Sequence, residues 1–448
     1  MPTAPGRELR RASYGANPAL GPRGQRSRQQ ILECALAVFT DVGYAAATMD
    51  AIAERSGKSR AAVYQYFKSK AEIFIVLMSD VGRGLLQTLK GLGPLGPGQD
   101  GFENLRAWIL DYFGTVREYA DVFSSWANAE IDDQSLHRPA LEWLEVFAER
   151  LGSALSASGT DVADTRSMAL AVSAMVERCC FLIGSRDLPY DENEMADTIA
   201  RSVQLTLFPD SVRLFRVGTE APTPKAAAIN DIGAMRALAH KTISTMTPPL
   251  KREVSVQGAA TVNAILDGAA QVFARKGFAA TSVDDVMVEV GLSHGALYQY
   301  WTDLREVLHT LAAESLTATW DIVENLESFT PTARSAPAIV ASLDDLLTNF
   351  ERRAAVIRVW ASLERVDPML DQMASDSVAA LQATLGQLID RSMLADIHDA
   401  DRAAIALIAL VSHAPYGSLV FANWASHSQL VHTLALLLCR GFLGITYP

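Results

Sequence analysis

Apolar residues recur at helical spacing through most of the chain, and one stretch of this pattern occurs twice. The first copy starts at Ile31 and the second at Ile265, so equivalent positions lie 234 residues apart (265 − 31 = 234) without an insertion. Roughly a third of the aligned positions are identical, which is more than chance produces in a gapless stretch. Long Ala/Leu-rich stretches with few β-branched runs favour helices elsewhere. The pattern predicts an all-α chain of two repeats.

Each copy has the spacing of a helix-turn-helix. In the first copy, Gly43 is placed to end the apolar helix, and Thr48 is placed to cap a short second helix. Gly57 then supplies a tight turn, and Ser59 caps a third helix. Two short helices joined by a glycine-containing turn form a helix-turn-helix. Small and polar residues opening the third helix let it lie in a DNA major groove about 12 Å wide.

The run VYQYFKSKAEIF (63–74) resembles the DNA-binding domain of TetR-type transcriptional regulators. The shared features are a tyrosine pair next to an aromatic residue, followed by Lys-Ser-Lys-x-Glu. In that family the residue after the cap of the third helix reads a base, which implies that Arg60 contacts guanine. Neighbouring residues are implied to hold phosphates or to add positive charge. The DNA-contacting residues expected in the first head are Thr48, Lys58, Ser59, Arg60, Tyr64, Tyr66, Lys68 and Lys70.

The second copy keeps the frame and loses positive charge. At the 234-residue offset, Lys58 and Arg60 become Leu292 and His294, while Lys68 and Lys70 become Thr302 and Leu304. Because each lost phosphate contact weakens DNA binding, we expect the second head to bind more weakly. It either reads a different half-site through His294 or is a structural relic, and the retained tyrosines and caps favour an active, asymmetric head. The DNA contacts expected here are Ser293, His294, Tyr298 and Tyr300.

Runs of glycine and proline divide the chain. The linker between the repeats is predicted to hold one short helix around 226–245. The predicted segments are a flexible basic arm (1–26), the first helix-turn-helix domain (27–72), the first helical regulatory domain (73–210), the linker (211–250), the second helix-turn-helix domain (251–306) and the second helical regulatory domain (307–448).

The long helical segment after each head implies, by the same resemblance, a bundle that binds a small ligand and supplies a dimer interface. The last helices, around 196–207 and 429–438, are placed to pack on each other within one chain or between two. A pseudo-dimeric monomer and a homodimer therefore both remain open. Large apolar residues that either line a ligand pocket or form ordinary core are Trp126, Trp143, Phe147, Met175, Phe181, Trp360 and Tyr416.

Composition excludes several other classes. The net charge of −12 argues against a protein that coats nucleic acid generally, but it allows a local basic face. Four cysteines lack metal-ligand spacing, and the adjacent Cys179 and Cys180 are either a redox sensor or, as burial statistics favour, core residues. No catalytic or cofactor motif is visible, so neither an enzyme nor a cofactor or metal is expected. With no secretory signal or spanning segment, we expect a cytoplasmic, nucleoid-associated protein without a membrane partner.

These observations predict a ligand-responsive transcriptional repressor that binds double-stranded operator DNA and a small apolar or amphipathic effector. Two unlike heads predict an operator whose half-sites differ. One alternative is a helical interaction scaffold in which one or both heads no longer bind DNA. Another is a small-molecule-binding or catalytic bundle that keeps ancestral heads.

Overall fold

The computed structural model describes residues 21–123, 125–126, 134–185, 190–216, 232–251, 255–278, 280–363, 367–420 and 424–448. Every regular element in these ranges is helical, which confirms the predicted all-α class. The first repeat contains α1 (Pro22–Ala46), α2 (Met49–Arg55), α3 (Arg60–Tyr66), α4 (Lys70–Gly91), α5 (Gln99–Glu118), α6 (His137–Ala157), α7 (Thr165–Ser185) and α8 (Glu192–Leu207).

The second repeat follows the same order. Its helices are α11 (Val256–Lys276), α12 (Val283–Glu289), α13 (Gly295–Tyr298), α14 (Leu304–Glu327), α15 (Ala336–Leu363), α16 (Pro368–Asp390), α17 (Ala400–Val420) and α18 (His427–Leu436), the last continued by a π-helical turn (Leu437–Leu443).

 Equivalent helices start 234 residues apart in the heads (283 − 49 = 234) and 235 apart at the last helices (427 − 192 = 235). The duplication therefore extends through both bundles. The final helices α8 and α18 (His427–Leu436) both open with a capping box, made by Asp191 with Glu194 and by Ser426 with Gln429.

The described chain divides into two compact units. One contains the residues up to 83 together with 119–143, and the other contains 84–118 and 144–448. The first unit is centred on three aromatic rings of the first head, since the rings of Phe39, Tyr44 and Phe74 pack with centroids 5.4 to 5.5 Å apart. Such aromatic pairs add about 0.5–1.5 kcal/mol each beyond their buried area, so this cluster fixes α1 against α4.

The second unit contains the interface between the two repeats. Helix α7 packs along α17, and α8 packs along the π-helical turn that follows α18. The backbones of α8 and this turn lie close together: a Cβ atom added to Gly441 would be 2.5 Å from the Ser202 carbonyl oxygen. The structure thus brings together, within one chain, the final helices that the sequence places near 196–207 and 429–438.

Two predicted boundaries differ from the structure. Helix α1 begins at Pro22 and not at residue 27, because proline suits the first helical position and the following Arg and Gln residues are good helix formers. The last residues assigned to the flexible arm are therefore helical. The more distal arginines of that arm, including Arg7, Arg10 and Arg11, lie outside the described residues.

The linker prediction is also incomplete. Besides the expected helix, here α10 (Ile232–Met246), the segment contains a short α9 (Val212–Arg216). Helix α10 packs on α16 and α14, with Ala239 fully buried and the Thr242 hydroxyl donating to Asp376 at 2.7 Å. It therefore forms part of the core of the second repeat. The sequence signal for this burial is the recurrence of apolar residues about every 3.6 positions along the helix, which indicates one buried face.

Residues Thr165–Gly184 of α7 are long and apolar enough to cross a membrane by length and composition alone. Two thirds of this stretch (67%) is buried within the protein, where α7 packs against α5 and α17. The apolar composition of α7 is thus accounted for by its place in the interface between the repeats.

Candidate nucleic-acid interface

The first recognition helix, α3, is held in place by local capping. The Thr48 hydroxyl accepts from the Ala51 amide at 3.1 Å at the start of α2, and the Ser59 hydroxyl accepts from the Ala62 amide at 3.2 Å at the start of α3. Between them, Gly57 adopts φ +63°, a conformation that favours glycine. These contacts confirm the predicted caps and turn. Val63 is fully buried and anchors one side of α3, which leaves the opposite side exposed.

Arg60 opens α3 on the exposed side. Its Nη1 lies 3.0 Å from the Asp50 carboxylate of α2, and its guanidinium carbon lies 5.5 Å from the centre of the Tyr64 ring. The hydrogen bond to Tyr64 and the charge of Asp50 raise the pKa of Arg60 above its ordinary value. The side chain therefore stays cationic and presents donors suited to guanine O6 and N7.

The other predicted contacts of the first head differ in exposure. Tyr64 and Lys68 are exposed, whereas Tyr66 and Lys58 are half-buried. The Lys58 ammonium lies 3.4 Å from the Ser27 hydroxyl on α1, which keeps it near the start of that helix. Exposed and half-buried polar groups along α3 and the adjacent turn can reach a phosphate backbone.

Lys70, which the sequence predicts to contact DNA, also binds the protein's own backbone. Its ammonium donates to the carbonyl oxygens of Tyr44, Ala45 and Ala47 at 2.6, 2.9 and 3.2 Å. An ammonium has three donors, so these bonds use all of them. The Tyr44 ring centre lies 4.5 Å away and adds a cation–π contact. Lys70 therefore joins α4 to the end of α1, and the DNA contacts proposed below do not include it.

The second head repeats the frame of the first. Gly277 and Gly291 adopt φ +72° and +66°, at the positions equivalent to Gly43 and Gly57. Ser282 caps α12 and forms a capping box with Asp285. At the start of the recognition helix, His294 Nδ1 is hydrogen-bonded to the Asp284 carboxylate, and the His294 ring centre lies 5.4 Å from that of Tyr298. These three residues occupy the positions of Arg60, Asp50 and Tyr64.

The second recognition helix is shorter. Helix α13 has 4 residues, whereas α3 has 7. Ser293 was expected to retain the cap, but the capping position is His294, which is itself helical and makes no side-chain cap. Gly295 stands where α3 has Ala61, and glycine is a poor helix former. Loss of the cap and the presence of glycine together explain the single turn.

Tyr300 is corrected from a DNA contact to a core position. Only 3% of Tyr300 is exposed, and its ring packs 5.9 Å from that of Trp301. Trp301 replaces Phe67 of the first head and is fixed by a bond from its indole N–H to the Thr310 hydroxyl at 3.1 Å. Ser293, His294 and Tyr298 remain exposed on the surface of the second head.

One ion pair that sequence analysis missed occurs in both heads with its charges exchanged. In the first head Asp41 of α1 pairs with Arg55 of α2, and in the second Arg275 of α11 pairs with Glu289 of α12. Both positions match at the offset of 234 (275 − 41 = 234; 289 − 55 = 234). The exchanged charges in the aligned copies were a signal that could have revealed this contact.

The residues of the first repeat that are predicted to line a ligand pocket take part in several separate packing contacts. Trp126 stacks on Phe74 with ring centres 6.2 Å apart, and a Cβ added to Gly82 would lie 2.6 Å from the Trp143 ring. The indole nitrogen of Trp143 is buried without a hydrogen-bond partner. These contacts are typical of core packing, and a pocket at these residues stays a prediction.

Of the remaining pocket candidates in the first repeat, Phe147 is on α6, and Met175 and Phe181 are on α7. Phe147 packs edge-to-face on Tyr112 at 5.8 Å, Met175 is fully buried on α7, and Phe181 lies under Arg178 at 4.7 Å. The side chains of Trp360 and Tyr416 lie outside the described residues. The same part of the structure buries Cys179 and half-buries Cys180, and burial raises the pKa of the Cys180 thiol to about 11. This favours a packing role for the cysteine pair over a redox sensor.

A polar cluster inside the second unit was not predicted. The Tyr112 hydroxyl donates to Glu177 Oε1 at 2.8 Å, and Nε2 of His413 lies 3.5 Å from Glu177 Oε2. Burial and the Glu177 charge raise the pKa of Tyr112 well above its ordinary value. The cluster joins α5, α7 and α17 and so places hydrogen-bonding groups from both repeats next to one another.

Both heads match one family of known proteins. A sequence model described as "Bacterial regulatory proteins, tetR family" matches residues 31–77 and 265–311. The transcriptional activator FasR of Mycolicibacterium smegmatis is 47% identical over 99 residues, which are 21% of this chain and 42% of FasR. The transcriptional repressor AcnR of Corynebacterium glutamicum is 35% identical over 83 residues, which are 16% of this chain and 44% of AcnR.

Among solved structures, the fatty acid degradation regulator FadR from Bacillus halodurans is similar with a TM-score of 0.35 and 18% identity. That likeness covers 41% of this chain and 96% of FadR. The chain spans less than half the length of FasR and of AcnR.

Proposed function

We propose that the chain, in which residues 31–77 and 265–311 match the tetR family of bacterial regulatory proteins, is a sequence-specific transcriptional regulator, most simply a repressor, that carries both reading heads in one chain. The observation that carries this proposal is the first head itself. Its recognition helix is capped, anchored by Val63, and opens with an exposed, cationic Arg60. Such a helix fits the major groove and reads guanine through a bidentate contact.

DNA contacts are proposed residue by residue. In the first head, Arg60 reads a base, while Thr48, Lys58, Ser59, Tyr64, Tyr66 and Lys68 hold or approach phosphates. In the second head, His294 reads a base and Ser293 and Tyr298 approach the backbone. Because the second head offers fewer cations, it contributes less to affinity and to the salt dependence of binding.

Contacts between the repeats support an intrachain pseudo-dimer. Gln429 Nε2 donates to Asp164 Oδ2 at 3.0 Å. On the other side of the interface, the residues equivalent to Gln429 and Asp164 are Glu194 and Asp399 (429 − 194 = 235; 399 − 164 = 235). Two carboxylates therefore face each other there. Arg402 bridges them, with its Nη1 2.8 Å from Glu194 and its Nη2 3.4 Å from Asp399.

This arrangement favours pairing between unlike repeats. Two copies of the first repeat would bring Glu194 opposite Asp164, and the position of Arg402 would be occupied by Ser167 (402 − 167 = 235). Like charges facing each other disfavour that pairing. The two repeats of one chain therefore complement each other better than two copies of the first repeat would.

Regulation is proposed to act through a small apolar or amphipathic effector bound in a helical bundle. The effector must bind the conformation released from DNA more tightly than the bound one, since equal affinity shifts no equilibrium. The Tyr112, Glu177 and His413 cluster offers polar groups for an otherwise apolar ligand. We further propose that the protein is a cytoplasmic, nucleoid-associated regulator without enzymatic activity.

The test is selection of bound sequences from random duplex DNA, repeated with Arg60→Ala and with His294→Ala. If wild-type protein enriches two unlike half-sites and each variant relaxes only one of them, both heads read DNA. DNA affinity falls as the salt concentration rises, and this dependence should become weaker in Lys68→Ala. Thr302→Ala, the matched control at the equivalent position of the second head, should change it less. Failure to enrich any sequence would refute the proposal.

Two observations favour a second candidate function, in which only the first head binds DNA. Tyr300 is buried and α13 is a single uncapped turn, so the second head has lost part of its interface. The chain would then pair with another regulator or with a second copy, and its second head would serve as a scaffold. A palindromic operator that Arg60→Ala disturbs and His294→Ala leaves unchanged would support this candidate.

A further inference from the structure

We propose that Asp50 and Asp284 are positioning residues for the base-reading side chains, and that Asp284 sets which base the second head prefers by fixing the tautomer of His294. The inference rests on the proposed function, since it assigns base reading to Arg60 and His294. It adds one acidic residue to each head, located on the helix before the recognition helix.

The first observation is the repetition of one three-residue geometry. In the first head, Asp50 contacts the Arg60 guanidinium at 3.0 Å, and Tyr64 lies under it at 5.5 Å. In the second head, Asp284 contacts His294 Nδ1, and Tyr298 lies 5.4 Å from the His294 ring. The acid, the base reader and the tyrosine match at a single offset (284 − 50 = 234). The acid and tyrosine are identical in both copies although the base reader between them has changed.

The second observation is that none of these residues is needed for packing. The side chains of Arg60 and Asp50 are 63% and 61% exposed, and those of His294 and Asp284 are 55% and 74% exposed. Exposed ion pairs contribute little to stability, which gives the pairing no evident structural purpose. When DNA covers this surface and excludes water, the same contacts become stronger and restrict the side chain to one orientation.

For His294 the contact also determines the hydrogen-bonding pattern. A carboxylate only accepts hydrogen bonds, so Nδ1 of His294 must carry the proton in the contact with Asp284. In a neutral imidazole, Nε2 is then left as an acceptor. In the major groove an acceptor pairs with the amino groups of adenine N6 or cytosine N4, whereas guanine presents only the acceptors N7 and O6. The second head should therefore prefer adenine or cytosine over guanine at the contacted position.

Arg60 gives the matched contrast. A guanidinium has five donors, no acceptor and no alternative tautomer. Removing Asp50 can loosen the orientation of the Arg60 side chain but cannot change the base that Arg60 prefers. We therefore expect the loss of Asp50 to change affinity alone, and the loss of Asp284 to change which base is preferred.

The experiment measures binding to duplexes that differ only at the contacted base of one half-site, at pH 8.5, for wild-type protein, Asp284→Ala, Asp284→Asn and Asp50→Ala. In wild type, adenine or cytosine should be preferred over guanine at the second half-site. Asp284→Ala should reduce that preference about fivefold or more. Asp284→Asn should keep it within about twofold, because the amide oxygen can still accept from Nδ1. Asp50→Ala should weaken binding to the first half-site severalfold while guanine stays preferred.

The inference is overturned if Asp284→Ala leaves the base preference unchanged, if it weakens all bases equally, or if Asp284→Asn behaves like Asp284→Ala. In each of these cases wild-type binding to two half-sites would still support the proposed function. If wild type fails to bind either half-site specifically, the proposed function itself fails. Circular dichroism and thermal unfolding of each variant verify that the head remains folded, as expected for substitutions of exposed side chains.

Discussion

His398 is a single buried side chain whose protonation should govern part of the acid stability of the protein. Only 3% of it is exposed, and its Nε2 donates to the Gly441 carbonyl oxygen at 2.8 Å. Burial lowers the pKa of His398 to about 4. An unfolded histidine has a pKa of about 6.5, so between these values the unfolded chain binds a proton that the folded chain does not. This contribution to stability is complete above pH 6.5 and is lost as the pH falls towards 4.

We predict that His398→Gln reduces the acid sensitivity of folding. The difference between the folded and unfolded pKa values of His398 corresponds to at most about 3 kcal/mol of unfolding free energy between pH 7 and pH 4. Glutamine can still donate to the Gly441 carbonyl but does not titrate. Urea unfolding at pH 7.0, 5.5 and 4.5 measures the change, with the variant losing less stability than wild type on acidification. Parallel pH profiles for the two proteins would contradict the role assigned to His398.

At the scale of single elements, the two recognition helices differ for reasons that can be tested. Helix α13 has Gly295 where α3 has Ala61, and it lacks the side-chain cap that Ser59 gives to α3. A Cβ added to Gly295 would meet no atom within 4 Å. Alanine at this position would therefore reduce the conformational freedom of the unfolded chain without creating a clash.

We predict that Gly295→Ala stabilises the second head by about 0.5–1 kcal/mol and strengthens its DNA binding. Chemical unfolding gives the first quantity, and titration with a duplex carrying only the second half-site gives the second. Ala61→Gly is the reciprocal control and should weaken the first head to a similar extent. Unchanged binding by both variants would show that helix length at this position does not limit recognition.

The elements that could be predicted from sequence are those fixed by local interactions. Thr48, Ser59 and Gly57 act on residues within a few positions, and each is found in the predicted role. The role of Lys70 depends on carbonyl groups more than twenty residues earlier in the chain, and no periodicity reveals them. Burial of Tyr300 likewise depends on the packing of Trp301 in three dimensions. The Asp50–Arg60 contact crosses the helix-turn-helix turn, so only the aligned copies hint at it.

At the scale of the whole molecule, the interface between repeats decides how many chains occupy one operator. Unlike contacts on its two sides, Gln429 with Asp164 and Arg402 between Glu194 and Asp399, favour pairing of one repeat with the other. Light scattering coupled to size exclusion should therefore give the mass of one chain. Titration of a duplex with two unlike half-sites should saturate at one chain per duplex. A mass of two chains would show that the repeats pair between molecules.

The same interface depends on close backbone approach at Gly441. Added there, a Cβ would lie 2.5 Å from the Ser202 carbonyl oxygen, so α8 and the π-helical turn must separate to admit it. Gly184, near the end of α7, has no atom within 4 Å of its added Cβ and offers a matched control. Both glycines are helical, so the intrinsic preference for alanine is similar at the two positions.

We predict that Gly441→Ala lowers the unfolding free energy by about 1–3 kcal/mol, as overpacking of a close contact does. Gly184→Ala should leave it unchanged or raise it by up to about 1 kcal/mol. Because the interface couples the repeats, the Gly441 variant should also unfold less cooperatively, with a smaller dependence on urea concentration. Equal effects of the two substitutions on unfolding would mean that the close contact at Gly441 does not stabilise the interface between the repeats.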